Sequence, residues 1–168
     1  MAKASLREYQ RELAERLRSA EAGHSASKLG VQVGEQGWLV DLVDAGEVIP
    51  VPPIAPVPLT KPWFRGMANV RGNLYSVVDF PAFLGGKPVA AGEQTRLLLV
   101  SERFRASIAL LVDRSLGLRN PAQLKARAAA AERPPWVKGE FTDGEGREWT
   151  ELDVPQLVQD PEFLGVAA

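Results

Sequence analysis

Apolar residues recur at spacings of three and four through Leu6, Tyr9, Leu13, Leu17 and Ala20. This predicts an amphipathic helix from Leu6 to about Ala22 with one narrow stripe. Glu12 and Arg16 stand four apart in the order that favours an ion pair along a helix. Such a helix can lie against its own domain or pair with a partner helix. Small and polar residues, Ala22–Lys28, then form a linker. From Leu29 the period changes. Leu29–Gly34 alternates, and Trp38–Val43 and Gly46–Val51 follow as short strands separated by turn residues. Five prolines crowd Pro50–Leu59. That run could be a PxxP ligand, but its place between strands reads better as a surface crossing.

Beyond a possible helical turn at Lys61, two β-like runs meet at Arg71-Gly72-Asn73, where Gly72 and Asn73 are residue types that tolerate positive φ in a tight hairpin. Pro81–Gly86 forms a short turn. Thr95–Ser101 and Ala106–Arg114 predict another hairpin through ERFR, and Asp143-Gly144 a third. Ala122–Glu132 has alanine's helical propensity but no apolar stripe, which makes it a connection with a helical tendency. Val154–Leu164 closes the chain as a short helix or turn. Many short strands without βαβ alternation predict an all-β fold, barrel or sandwich. The natural division is residues 1–27, helix and linker, and residues 28–168, the β domain.

Length and composition fit that picture: 168 residues, 45% apolar and 24% charged, are enough for a sizeable core. The net charge of −1 argues against nucleic acid as a partner, because phosphate binders carry a basic field. The apolar runs are too short to span a bilayer, and the first twenty residues lack an apolar signal core, which predicts a cytoplasmic protein without direct membrane insertion.

Candidate chemistry is sparse. There is no cysteine, and the one histidine, His24, falls in the linker. A nucleophile–base pair and a zinc site both lack their usual side chains. Neither a GxxxxGK[ST] loop nor a helix-opening GxGxxG occurs. Asp143–Glu148 lacks calcium-loop spacing and reads as a hairpin tip. Asp41, Asp44 and Glu47 are acids on or beside a strand, with nothing that makes them converge. The glycines of Arg65-Gly66 and Arg71-Gly72 sit between apolar runs, unlike those of basic RNA-binding segments. The expectation is a binding module: no enzyme, no cofactor, no metal.

Gly66–Gly85, GMANVRGNLYSVVDFPAFLG, resembles the signature region of the CheW-like chemotaxis coupling proteins. The matching pieces are Asn69-Val70-Arg71-Gly72 and Val77-Val78-Asp79-Phe80. Trp38–Ile49, with Glu47-Val48, and Ala106–Asn120, with Val112-Asp113, are similar to flanking strands of the same family. The likeness runs from about Lys28 to Leu164. Ser76 stands where the family often has proline, and the chain adds an N-terminal helix. Both features are similar to the PilI-type members of pilus-linked chemosensory systems.

The resemblance implies two small five-stranded SH3-like β-barrels sharing a core. It implies a scaffold that couples the cytoplasmic tips of methyl-accepting chemoreceptors to a CheA-type histidine kinase, whose regulatory domain has the same fold. The adaptor and that domain would meet barrel to barrel, and the receptor tip would dock between the adaptor's barrels. A generic SH3-like peptide-binding module is the alternative. Arg71, Glu47, Asn69 and Asp79 are the candidate partner-binding residues, and Gly72 is a purely conformational turn residue. Arg71 could instead pin its own turn, and Asp79 could cap the turn that follows it. Val51, Ile54 and Val57 are apolar candidates for kinase docking.

Overall fold

The structure is a computed structural model that describes residues 9–18 and 27–168. Residues 9–18 form helix α1, whose side chains are all exposed, including Tyr9, Leu13 and Leu17 of the stripe. Packing of this stripe on the β domain, one of the two roles open to it, is not found for these residues. Leu6, Ala20 and His24 lie outside the described residues.

Among the described residues, twelve strands build two antiparallel-rich sheets. The first contains β1 (Lys28–Val33), β2 (Gln36–Asp41), β9 (Arg114–Arg119), β10 (Lys125–Ala126), β11 (Val137–Thr142) and β12 (Glu148–Leu152), in the order β10-β11-β12-β2-β1-β9. The second contains β3 (Ala45–Pro50), β4 (Ile54–Ala55), β5 (Phe64–Val70), β6 (Asn73–Asp79), β7 (Arg96–Val100) and β8 (Ile108–Val112), in the order β3-β7-β8-β6-β5-β4. Each sheet thus has five substantial strands and one two-residue strand, so the expectation of two small five-stranded barrels holds. Barrel two is inserted between β2 and β9 of barrel one.

Strand β7 shows how the two units share a core. Its run RLLLV lacks alternation because both faces are buried. Leu97 and Leu99 point into barrel two, together with Val77, Ala109 and Leu111. Leu98 and Val100 point the other way, into a larger cluster with Val31, Val40, Leu110, Val112 and Leu152. β8 divides in the same manner. An aromatic group seals the seam: Trp38 of β2 meets Phe80 edge-on at 5.2 Å, and Trp136 lies 6.0 Å from Trp38.

Two one-turn helices follow strands, α2 (Phe80–Phe83) after β6 and α3 (Val154–Leu157) after β12, and a further one, α4 (Pro161–Leu164), follows α3. Asp79, Asp153 and Asp160 cap them, each with proline in the first turn. The alanine-rich segment departs from expectation. Only Pro121–Gln123 forms a 3-10 turn, Lys125–Ala126 pairs with β11, and residues 127–133 are exposed and irregular. Alanine propensity alone does not hold a short helix in water without an apolar face to bury.

Candidate functional site

The β5–β6 hairpin presents the candidate arginine. Val70 pairs with Asn73, which leaves Arg71 and Gly72 as a two-residue loop with φ of 52° and 86°. Positive φ at both central positions is the hairpin geometry that matches strand twist. Positive φ thus falls on Arg71 and Gly72, while Asn73 already belongs to β6. A Cβ on Gly72 would meet nothing within 4 Å, so its role is backbone conformation alone. Asn69 accepts a hydrogen bond from the Gly72 amide at 2.9 Å and so shapes the turn.

Arg71 and Glu47, 24 positions apart, come together. The guanidinium donates Nη1 to Oε2 at 2.8 Å and Nη2 to Oε1 at 2.7 Å, a bidentate pair between the hairpin tip and edge strand β3. A bulge at Gly46 sets the β3 register against β7 at this point. The hydrogen bond to Glu47 and its charge raise the Arg71 pKa further. The pair stays exposed, at 72% for Arg71 and 42% for Glu47, which limits its worth as a stabiliser and leaves it available. It borders a surface cleft of about 400 Å³ with Asn73, Tyr75 and Glu102.

Asp79 is different. It is fully buried, and its carboxylate accepts from the amides of Ala82 at 3.1 Å and Val89 at 2.9 Å and from Arg65 Nε at 3.0 Å. The capping role fits this geometry. Direct partner contact does not, because no acceptor face reaches solvent. Arg65 is the residue that sequence reasoning overlooked, although the pairing of Phe64 with Val78 in the hairpin puts it beside Asp79.

Two further depressions lie elsewhere on the surface. A groove of about 550 Å³ runs between the barrels, from the Gly34–Gln36 turn to Pro81, Leu84 and Lys87. Asp113 spans it, accepting from the Gly34 amide at 2.6 Å. Arg71, Glu47, Asn69 and Asp79 do not line this groove. The second is a hollow of about 390 Å³ at the mouth of barrel two, with Val51, Ile54, Val89 and Leu111 as its apolar lining. Val51 and Ile54 of the proline-rich loop thus share one surface, while Val57 is exposed and does not line it.

Comparison with known proteins agrees with this architecture. The CheW-like domain family model matches residues 28–162. Protein PilI of Pseudomonas aeruginosa is 31% identical over 153 residues, covering 88% of this chain and 83% of that protein. Chemotaxis protein CheW of Thermotoga maritima is 30% identical over 91 residues, 54% of this chain and 58% of that protein. The crystal structure of the scaffolding protein TtCheW from Thermoanaerobacter tengcongensis superposes with a TM-score of 0.65 at 17% identity, over 76% of this chain and 88% of that one. With matched strands, a shared two-barrel core and the Asn69–Gly72 turn in place, this chain belongs to the CheW-like family.

Proposed function

We propose that the chain is a non-catalytic adaptor that couples the cytoplasmic tips of methyl-accepting chemoreceptors to a CheA-type histidine kinase, in a chemosensory system linked to type IV pili. The observation that carries this reading is that separate surfaces lie on one body with a common core. Coupling two partners requires distinct sites whose geometry is fixed relative to each other. The inter-barrel groove of about 550 Å³ is the seat for the receptor's helical tip in this reading. The mouth of barrel two offers the desolvated apolar centre that a protein interface needs, and it suits the kinase's regulatory domain. The Arg71–Glu47 pair lies on neither floor. It braces β3 against the hairpin and presents charge at the cleft, so it acts on coupling through the shape and charge of that edge.

The pilus assignment rests on the likeness to PilI over most of the chain. Such an adaptor works in the cytoplasm, at receptor arrays. Among the described residues no helix is long and apolar enough to cross a membrane. Peptide capture in an SH3-like aromatic groove is disfavoured, because all four tryptophans and Tyr75 are buried. Co-sedimentation tests the adaptor reading. Receptor-containing membranes should carry the kinase down only when the chain is added. Kinase recovery unaffected by the chain contradicts the proposal.

A further inference from the structure

The hollow at the mouth of barrel two is apolar at its floor but not at its rim. Arg65 and Arg96 both line it, with Glu93 as the one acid. Arg65 is fixed from behind: Nε donates to the fully buried Asp79 at 3.0 Å and Nη2 to the Val89 carbonyl at 2.7 Å. Arg96 is fixed through one nitrogen, with Nη1 donating to the Glu93 carbonyl at 2.6 Å and the Thr95 carbonyl at 2.9 Å. Among the described residues this leaves Nη1 of Arg65 and Nε and Nη2 of Arg96 without hydrogen-bond partners. Two guanidiniums are therefore held at the edge of an aliphatic hollow with donors unspent. A plain hydrophobic tip seated there would strip water from those donors and return nothing.

We propose that this hollow selects a partner loop that carries an aliphatic side chain beside a carboxylate, with Arg65 and Arg96 as the charge-selecting residues. The aliphatic group occupies the floor of Val51, Ile54, Val89 and Leu111, and the carboxylate accepts from the arginine side of the rim. Pre-fixed guanidiniums lose little freedom on binding; Arg96 can meet a carboxylate with Nε and Nη2 as two parallel donors, and Arg65 with Nη1 alone. The inference rests on the adaptor reading, in which the occupant is the regulatory barrel domain of the kinase.

The test is calorimetric titration of the full chain with the purified regulatory domain of its cognate kinase, at low and high salt. Wild-type affinity should weaken as salt rises. Arg96→Glu should weaken it about tenfold or more, as a like-charge contact does. Arg96→Leu should flatten the salt dependence while binding persists. Arg96 is the position to change, because Arg65 also neutralises Asp79 and its loss disturbs the fold. A thermal melt of Arg96→Glu matching wild type excludes unfolding as the cause. Wild-type binding that is indifferent to salt, or unchanged in Arg96→Glu, overturns the inference and leaves the adaptor reading standing. Loss in Arg96→Glu of self-association or receptor binding, with kinase binding intact, overturns the assigned occupant. Absence of any wild-type binding to the kinase domain overturns both readings.

Discussion

The inner face of barrel two carries Val70, Tyr75, Val77, Leu97, Leu99 and Leu111. The corresponding face of barrel one carries one buried aliphatic, Leu39, among Lys28, Gly30, Gly37, Asp41, Trp149 and Glu151, which the strand registers place on one side while Leu29, Val31, Trp38 and Val40 fill the shared core on the other. Two barrels of similar size are thus filled by different physics. In barrel two, aliphatic side chains leave water and pack. In barrel one, Trp149 lies flat against two glycines, and a Cβ on Gly37 would come within 2.9 Å of its ring. Arg119 and Arg147 stack near the same ring at 4.9 and 4.8 Å. Beyond it, Lys28 donates to Asp41 and to Glu151 at 2.5 Å each, and Lys138 reaches Asp41 at 3.0 Å. The lesson is that a barrel interior can be polar where its carboxylates and ammonium groups pair, as Lys28, Asp41 and Glu151 do, although the Nε of Arg119 beside Trp149 is buried without a hydrogen-bond partner.

The largest effect is expected in barrel two. Leu97 is fully buried, and Leu97→Ala should lower unfolding free energy by about 3 kcal/mol or more through lost transfer energy and a cavity, as measured by denaturant titration. A loss below about 1 kcal/mol would mean that barrel two is not close-packed.

Barrel one should respond differently to single and joint changes. Lys28→Met leaves the Glu151 carboxylate, only 5% exposed, with Lys138 at 3.7 Å as its remaining cation. The expected loss is about 2–3 kcal/mol. Replacing Lys28, Asp41 and Glu151 together by Met, Leu and Leu should return stability to within about 1 kcal/mol of wild type, since Lys138 is free to turn to solvent. A triple variant worse than the single one would show that the network stabilises the barrel beyond what packing can replace.

Acid and base titration gives the smallest and most local effect. Burial alone would raise the Asp41 pKa, but its bonds to Lys28 and Lys138 hold it below its ordinary 3.8. Its contribution is therefore complete above 3.8 and is lost as pH falls through the lower folded value. Burial alone would lower Lys28, yet its bonds to Asp41 and Glu151 carry it above 10.5, and the bond to Asp41 raises Lys138 likewise. Their contribution is complete below 10.5 and fades as pH rises through the folded values. Asp44 is raised by burial and opposed by Arg103, so its own linkage favours folding on the acid side and offsets part of the acid loss. Amide exchange should accelerate first in β1, β2 and β12 below pH 3.8 and above 10.5, ahead of β7 and β8. Equal responses in both barrels would contradict the difference described here.

The same contrast explains what could be read from the chain. Thr95–Ser101 and Ala106–Arg114 were legible as a hairpin, and β7 and β8 do pair antiparallel, but that both their faces are buried emerges only from the fold. Gly72 and Asp79 were legible as turn and cap from residue type and neighbours. The barrel-one interior was not, because Lys28, Asp41 and Glu151 read as surface charges until strand register brings them together. The Glu47–Arg71 pair is hidden for the same reason: β3 and the hairpin tip meet only through the intervening strands of barrel two. Residues 127–133 mislead in the opposite direction, since propensity speaks there without a surface to bury. The candidate site was therefore half legible: the tight turn that carries Arg71 could be read, but its pairing with Glu47 and the burial of Asp79 could not.

The adaptor account is tested most directly by receptor-dependent autophosphorylation of the kinase, reconstituted with membranes, kinase and either wild-type chain or Arg71→Ala. Wild type should confer receptor control on the kinase. Arg71→Ala, with an unchanged thermal melt, should retain the fold but weaken that control several-fold, because the brace to Glu47 and the charge at the cleft are gone. Receptor control that is absent with the wild-type chain, or identical with the variant, would contradict the account.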